Sequence, residues 1–513
     1  MQKKIVVSMV CLSLLVFALA GVAQAGQGRM GGMGDPYGLL SDESDFLIHP
    51  AGIAKGEGIQ FYGNYRFTYR NVQDWDYNVD VFAGPVGPPA VISRYETSGD
   101  EQTHDALVGA GFPLGPGRLG IFFEYTGMGG DYDGDVASNA PLGNSYDLSS
   151  DLDNFALRFL YGLPVGGFNL GGEVQFAYRQ EENETELLNG VFPGGVLVNS
   201  FYGTFSHPID YNTNLFPFMT PYDSSYFEAL LKGSLEGSIG PVETAFTLRG
   251  GFIFAGDNQL AHVGAAPLFL GALDLDGDVD GWRLGGDLWL GFSLGDGLSL
   301  PFLVRIDYQD KSRDGDGMGV PPLPVSMYDY ENEETSLELE VGGGVAKEFA
   351  DGMRLAAGIY YNYLDAGNDF ELTASPLGWL WDRGEFPDCT EHRFQVKLAG
   401  DFPLADAVAL QFGLNFFYGW LQEDYSFNAS NALYGVLAEE VSLDGSHWGF
   451  GASIGASVAL QRLTLEPFVG FGYQEINMEG DGTTSFFPAG RIEMDKATEQ
   501  WLIGTGLSVL FDL

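Results

Sequence analysis

The sequence predicts an all-β fold: a transmembrane antiparallel β-barrel of about 16 strands, with short periplasmic turns and long extracellular loops. Three observations predict it. Apolar and polar residues alternate with a period of two from residue 59 onward, the connections between alternating segments are short and long by turns, and no long apolar stretch follows residue 25. Lipid offers no partner for unpaired backbone groups, so a chain without a spanning helix crosses only as a closed barrel.

The chain opens with Lys3 and Lys4, an apolar run from Ile5 to about Ala20, and the small residues Ala23 and Ala25. This is the pattern of a secretory signal peptide over 1–25, cleaved before Gly26. Residues 26–58 follow as an N-terminal periplasmic segment or plug, and 59–513 as the barrel. Cys11 lies inside the apolar run without the small residue that precedes a lipoprotein cysteine, so no lipid anchor is expected. Cys389 then stands alone in the mature chain, which excludes an internal disulfide and cysteine-based haem or zinc sites.

In residues 59–70 the odd positions read Ile, Phe, Gly, Tyr, Phe, Tyr and the even ones Gln, Tyr, Asn, Arg, Thr, Arg; 168–179 and 408–420 repeat the pattern. Sixteen such segments start near residues 59, 103, 118, 151, 168, 225, 241, 281, 297, 334, 353, 390, 406, 446, 461 and 498. Most are read as 10 to 15 residues long, enough for a tilted strand to cross a bilayer. Seven connections are tight, such as Leu114-Gly-Pro-Gly117 and Gly295-Asp-Gly297. Eight are long, near 71–102, 129–150, 180–223, 255–278, 311–332, 367–387, 423–443 and 476–495. Tyr65, Phe67, Tyr69, Phe176, Tyr178, Tyr360, Tyr361, Tyr363, Phe416, Phe417, Tyr418 and Trp420 gather near strand ends and are read as an interfacial girdle.

With the apolar face toward lipid, parity assigns the other face to the lumen. The pore-lining set is Arg66, Arg70, Glu124, Arg158, Glu173, Arg179, Glu228, Lys232, Arg249, Arg283, Asp287, Arg305, Asp307, Glu338, Glu340, Arg354, Arg393 and Lys397, with Glu243, Asp401 and Glu466 completing the acids. Basic and acidic residues nearly balance there, so cross-strand pairs around a water-filled channel are expected. The chain as a whole is not balanced. Without Lys3 and Lys4 it carries 70 acids against 22 bases, which argues against nucleic-acid binding and puts most acid in the loops. Acidic loops serve solubility or divalent-ion bridging to the surrounding surface as readily as cation preference.

The third long loop, 180–223, is acidic at first and then apolar: Phe192, Phe201, Tyr202, Phe205, Phe216 and Phe218 are its largest side chains. Such a segment folds into the barrel as a constriction, packs as a lid, or meets a partner; the constriction is favoured.

Signal peptide, strand number, long third loop and a final strand ending on the terminus resemble the general-porin class of Gram-negative outer-membrane proteins. Trp501-x-Ile503-x-Thr505-x-Leu507-x-Val509-x-Phe511-x-Leu513 resembles the C-terminal signal read by the barrel-assembly machinery, with Leu513 where those porins usually end in Phe. The resemblance implies outer-membrane lipid and lipopolysaccharide as surroundings and a homotrimer as the assembly. Ser44-Asp-Phe-Leu-Ile-His-Pro-Ala-Gly-Ile53 is similar to the Asn-Pro-Ala-Gly-like segment near the start of the fatty-acid channel family, with His49 in place of Asn. That similarity implies an N-terminal plug in the barrel.

Asp276-x-Asp278-x-Asp280-Gly281, with Asp287 at the twelfth position, has the skeleton of a calcium loop, although an acidic loop running into a strand accounts for it as well. Gly451-Ala-Ser453-Ile-Gly455 has the Gly-x-Ser-x-Gly spacing, but it sits in a continuous alternating strand and lacks the strand-to-helix turn the chemistry needs. The six histidines are scattered. No cofactor and no enzyme activity is expected. The leading expectation is passive diffusion of ions and small hydrophilic solutes. The alternatives are a specific transporter for hydrophobic solutes and a structural barrel around a partner such as a redox protein.

Overall fold

Sixteen strands form one closed antiparallel sheet in the computed structural model, which describes residues 38–40, 43–82, 91–138, 144–187, 219–266, 269–319, 327–375, 380–405, 407–431, 435–484 and 490–513. In chain order they are β1 (Gln60–Phe82), β2 (Val91–Leu114), β3 (Gly117–Ser138), β4 (Asn144–Val165), β5 (Phe168–Leu187), β6 (Met219–Ile239), β7 (Val242–Ala266) and β8 (Phe269–Gly295). The second half comprises β9 (Leu298–Gly319), β10 (Met327–Glu348), β11 (Arg354–Ser375), β12 (Leu380–Ala405), β13 (Val408–Asn431), β14 (Gly435–Leu460), β15 (Leu463–Thr484) and β16 (Gly490–Asp512). Each strand pairs with its sequence neighbours, and β1 closes on β16, where the Leu513 N–H donates to the Ile59 carbonyl at 2.9 Å. Closure removes every sheet edge, the condition for carrying backbone polar groups through lipid.

Period-two patterning sets the two faces. On β3, Ile121 and Phe123 are exposed outside while Phe122 and Glu124 are buried inside; on β13, Leu414, Phe416, Tyr418 and Trp420 point out and Gln411, Leu421 and Glu423 point in. The short turns follow from local chemistry. Asp296 and Gly297 both take positive φ (51° and 71°), the conformation whose twist matches a two-residue hairpin.

The strands are far longer than the sequence pattern suggests, running from 20 to 27 residues. At ~3.3 Å per residue and a tilt near 40°, strands of that length rise roughly 50 to 70 Å, two to nearly three times the ~25 Å apolar band of such barrels. Most of what reads as long loops is therefore paired strand. Asp, Gly and Ser weaken the alternation beyond the girdle, yet the register runs on through them.

Two girdle assignments also change. Tyr360 is fully buried inside the barrel and Phe417 also lies on the inner face, under the Arg393 guanidinium; both neighbour true outward aromatics and are shifted by one residue, hence by one face.

Register shifts interrupt β6 (between Ser225 and Phe227) and β7 (between Ile253 and Gly256, with Ala255 at φ 51°), as β-bulges that bend and twist the strands locally. There Tyr226, Ile253 and Val279, one from each of β6, β7 and β8, cluster on the inner face.

Before β1, two short 3-10 helices, Glu43–Leu47 and Pro50–Lys55, lie inside the barrel toward its short-turn end. Pro50 opens the second with a preset φ and no N–H to satisfy.

Candidate functional site in the barrel lumen

The N-terminal segment crosses the lumen and is clamped on both sides. On one side Leu39 and Leu40 pack with Leu303, Ala346, Ala356, Tyr360 and Ala399 of β9 to β12. On the other, Phe46 and Ile53 pack with Tyr62, Leu107, Phe122 and Leu160 of β1 to β4, the Phe46 and Tyr62 rings meeting edge to face at 5.1 Å. Burying these side chains gains roughly 1.5 to 3 kcal/mol apiece.

The wall is shaped to receive the segment. A Cβ added at Gly171 of β5 would stand 2.0 Å from the Ala51 nitrogen, one at Gly162 of β4 2.8 Å from the Ala54 nitrogen, and one at Gly358 of β11 2.5 Å from a Leu39 methyl. Only glycine permits that approach.

Polar groups fix the register of the segment. His49 Nδ1 lies 2.6 Å from Thr247 Oγ1, the Ala51 N–H donates to Ser234 Oγ at 2.6 Å, and Lys232 Nζ donates to the Leu47 carbonyl at 3.1 Å. The Trp289 indole N–H donates to the Gly38 carbonyl at 3.0 Å, Lys55 pairs with Glu236, and Arg118 donates to the Gly58 carbonyl at 2.7 Å. Burial pushes the His49 imidazole down to about 4; the Asp287 carboxylate opposes this, while Arg305, Lys55 and Lys232 reinforce it.

The structure places the sequence-derived lumen residues on the inner face, mostly as ion pairs. Arg66 meets Asp105 at 3.0 Å, Arg70 meets Glu101 at 2.9 Å, Arg158 meets Glu124 at 2.5 Å and Glu173 at 3.8 Å, and Lys232 meets Glu173 at 3.3 Å. Asp287, 1% exposed, accepts from Arg305 at 2.7 Å and from Arg249, which also pairs with Asp307. Arg283 reaches Asp307 at 3.3 Å, Arg305 reaches Glu340 at 3.4 Å, and Lys397 lies 3.9 Å from Glu340. Arg354 pairs with Asp401 at 2.9 Å, Arg393 with Glu391 at 3.5 Å, and Arg179 with Glu181 at 2.7 Å. Glu228 and Glu338 take inward positions in the same registers. Mutual pairing is how a confined wall holds so much charge.

A further set of inward charges escaped the sequence reading: Glu101, Glu181, Lys311, Arg313, Glu334, Glu391, Glu423, His447 and Lys496. Most lie in stretches read as loops. Continuing the parity through Lys311-x-Arg313 or Arg179-x-Glu181 would have found them. Beside them, Val441, Leu443, Ile476, Met478, Ile492 and Met494 form an apolar patch on the inner face of β14 to β16, where a water-filled pore would be polar.

The calcium reading of Asp276, Asp278, Asp280 and Asp287 is corrected. The first three are exposed on the outer face of β8, while Asp287 faces inward and is held by arginines, so the four share no cation. No group of three metal-ligating side chains occurs among the described residues. Ser453 lies within β14. Phe192, Phe201, Tyr202, Phe205, Phe216 and Phe218, and with them the constriction reading, lie outside the described residues, as does the signal peptide. Outside the barrel above the girdle, a hollow of about 1180 Å³ is lined by Asp100, Asp131, Asp133, Asp151, Asp153 and Glu182, acid carried by strands and not by loops.

No family model matches the chain, and no curated protein does. Among solved structures, a Pseudomonas aeruginosa FadL homologue is 11% identical over 96% of this chain and 99% of its own, with a TM-score of 0.39. A deltaS2 mutant of the TodX monoaromatic hydrocarbon channel is 11% identical over 95% and 98%, with a TM-score of 0.43. The Pseudomonas putida toluene transporter TodX is 12% identical over 96% and 99%, with a TM-score of 0.35. Likeness at this level adds nothing to what the strand order already establishes: the chain is an outer-membrane-type barrel of 16 antiparallel strands.

Proposed function

We propose that this protein is an outer-membrane transporter for hydrophobic solutes, with residues 38–58 acting as a plug at the periplasmic end of the barrel. The observation that carries the reading is that the lumen is apolar at two levels. Leucine, phenylalanine and tyrosine hold the N-terminal segment across the lower lumen, and farther from the short turns Leu443, Ile476, Met478, Ile492 and Met494 are buried on the inner face of the wall. An open porin offers hydrated ions a polar path from end to end; here that path meets a packed segment. Apolar side chains on a lumen wall lower the cost of holding an apolar solute there and give a hydrated ion nothing.

The test pairs two measurements on the purified protein. In planar bilayers the expected result is no steady ion conductance; in cells, uptake of a fluorescent long-chain or aromatic probe saturates with concentration and falls at least fivefold on Leu443→Asp or Met478→Asp. A steady ohmic conductance together with uptake of small sugars overturns the reading in favour of a general diffusion pore.

A further inference from the structure

Among the described residues, two ion pairs join strands three or more apart in the sheet. Arg313 of β9 donates to Glu181 of β5 at 3.0 Å, over the intervening β6, β7 and β8. Lys496 of β16 donates to both oxygens of Glu423 of β13 at 2.8 and 2.9 Å, over β14 and β15. All four side chains are buried. In a round barrel of 16 strands ~4.8 Å apart and tilted ~40°, strands four apart stand roughly 20 Å from each other, beyond the joint reach of an arginine and a glutamate. β5 and β9 must therefore stand closer to each other than in a round barrel for the first pair to form. Register shifts interrupt β6 and β7 between them, and Tyr226, Ile253 and Val279 cluster on the inner face there.

The first pair is anchored at both ends. Glu181 also meets Arg179 at 2.7 Å and the Tyr226 hydroxyl at 3.3 Å; Arg313 also pairs with Glu334, which Lys311 meets at 2.7 Å. Both pairs lie farther from the short turns than the N-terminal segment does, since Glu423 and Lys496 sit well along β13 and β16 from the turn ends of those strands.

We infer that Glu181–Arg313 and Glu423–Lys496 are straps that hold the outer half of the lumen closed, so that solute enters only when these pairs part. The inference stands on the geometry of the wall and is independent of the solute. A barrel closed by straps above and by the N-terminal segment below encloses a compartment reached by opening one end at a time. Ion pairs suit such a latch because parting them exposes charge to water, which restores part of the interaction lost, whereas a dry apolar seal regains nothing.

A native reporter stands beside the second strap. Cys389 is buried on the inner face of β12, directly across from Glu423 in the register with β13. The experiment measures the rate at which a membrane-impermeant maleimide added to intact cells labels Cys389, with resistance of the folded barrel to SDS before heating as the fold control. The wild-type protein labels slowly. Glu423→Gln and Lys496→Met each label at least tenfold faster, Glu181→Gln and Arg313→Gln raise the rate as well, and the exchanged pair Glu423→Lys with Lys496→Glu returns to within about threefold of wild type. Should a single variant fail the fold control, the double Glu423→Ala with Lys496→Ala, which leaves no unpaired charge, gives the same readout and the same tenfold expectation. Folded variants that label at the wild-type rate overturn the inference, and so does an exchanged pair that labels as fast as the single variants. Because no solute is used, either result leaves the proposed transport function to its own test.

Discussion

His49 Nδ1 lies 2.6 Å from Thr247 Oγ1, at the point where the N-terminal segment meets the far wall of the barrel. The contact is buried, which favours the neutral imidazole, and the threonine hydroxyl can donate to or accept from its ring nitrogen according to the tautomer.

A pH dependence of docking follows. His49 has its ordinary value of 6.5 when the segment is released and about 4 when docked. The docked form therefore binds fewer protons over that window, and docking weakens as pH falls from 6.5 toward 4, by an amount on the order of 3 kcal/mol in full. The hydrogen-exchange protection of residues 43–55, corrected for the intrinsic amide rate at each pH, is expected to be lower at pH 4.5 than at pH 7, and His49→Gln is expected to flatten the difference. Equal protection at both pH values in the wild-type protein would remove His49 from the account of docking.

The glycine floor makes a second prediction. Gly171→Val puts a side chain where the Ala51 backbone lies, and overpacking of this kind costs about 1 to 3 kcal/mol. The segment should become accessible to protease while the barrel keeps its resistance to SDS. A variant with an unchanged digestion pattern would show that the wall gives way instead.

Asp287 is the hub of the lower charge cluster, held by Arg249 and Arg305. Asp287→Ala leaves two guanidinium groups facing each other in a confined space, a loss of about 3 to 5 kcal/mol for a buried pair that loses one partner. Denaturant unfolding in lipid vesicles measures it. A cost below 1 kcal/mol would mean that water fills in for the carboxylate.

On the outer face, Asp276 stands opposite Asp316, and Asp278 opposite Asp314, which in turn faces Glu331 on the next strand. Like charges across strands repel, so Asp278→Asn is expected to leave stability unchanged or raise it by up to about 1 kcal/mol, and added calcium should not distinguish the variant from the parent. Thermal unfolding with and without calcium decides this; a calcium-dependent gain confined to the parent would reinstate a cation there.

Strand number, handedness of faces and the short turns were legible in the sequence because a period of two and a Gly-rich turn are both local signals. Strand length was not. Beyond the girdle there is no lipid to demand an apolar face, so Asp131-Tyr-Asp-Gly and Asp274-Leu-Asp-Gly read as loops although they continue the ladder. Parity named most of the lumen charges for the same reason that it missed Glu423 and Lys496: it extends only as far as the strand is believed to run. Which charges meet across the lumen depends on how the sheet curves between β5 and β9, and no single strand carries that information. The similarity of His49-Pro50-Ala51-Gly52 to a plug-like segment pointed to the part of the chain that the structure puts inside, whereas the glycines that receive it lie on three other strands.

Gln60 opens β1 directly after that segment, and its partner strand, β16, ends with Asp512 at the close of the chain. The seam of the barrel thus joins β1 to β16, the widest sequence separation among the described strand pairs and the slowest kind of contact to form. Most of the bed on which residues 38–58 rest belongs to β3 to β12, away from the seam, while Phe46 also packs on Tyr62 of β1. The curling sheet can therefore gather most of its own N-terminus before it closes, and the closing strand β1 adds the last of the contacts, so that the protein is assembled around its stopper in much the way a bottle is blown around a core.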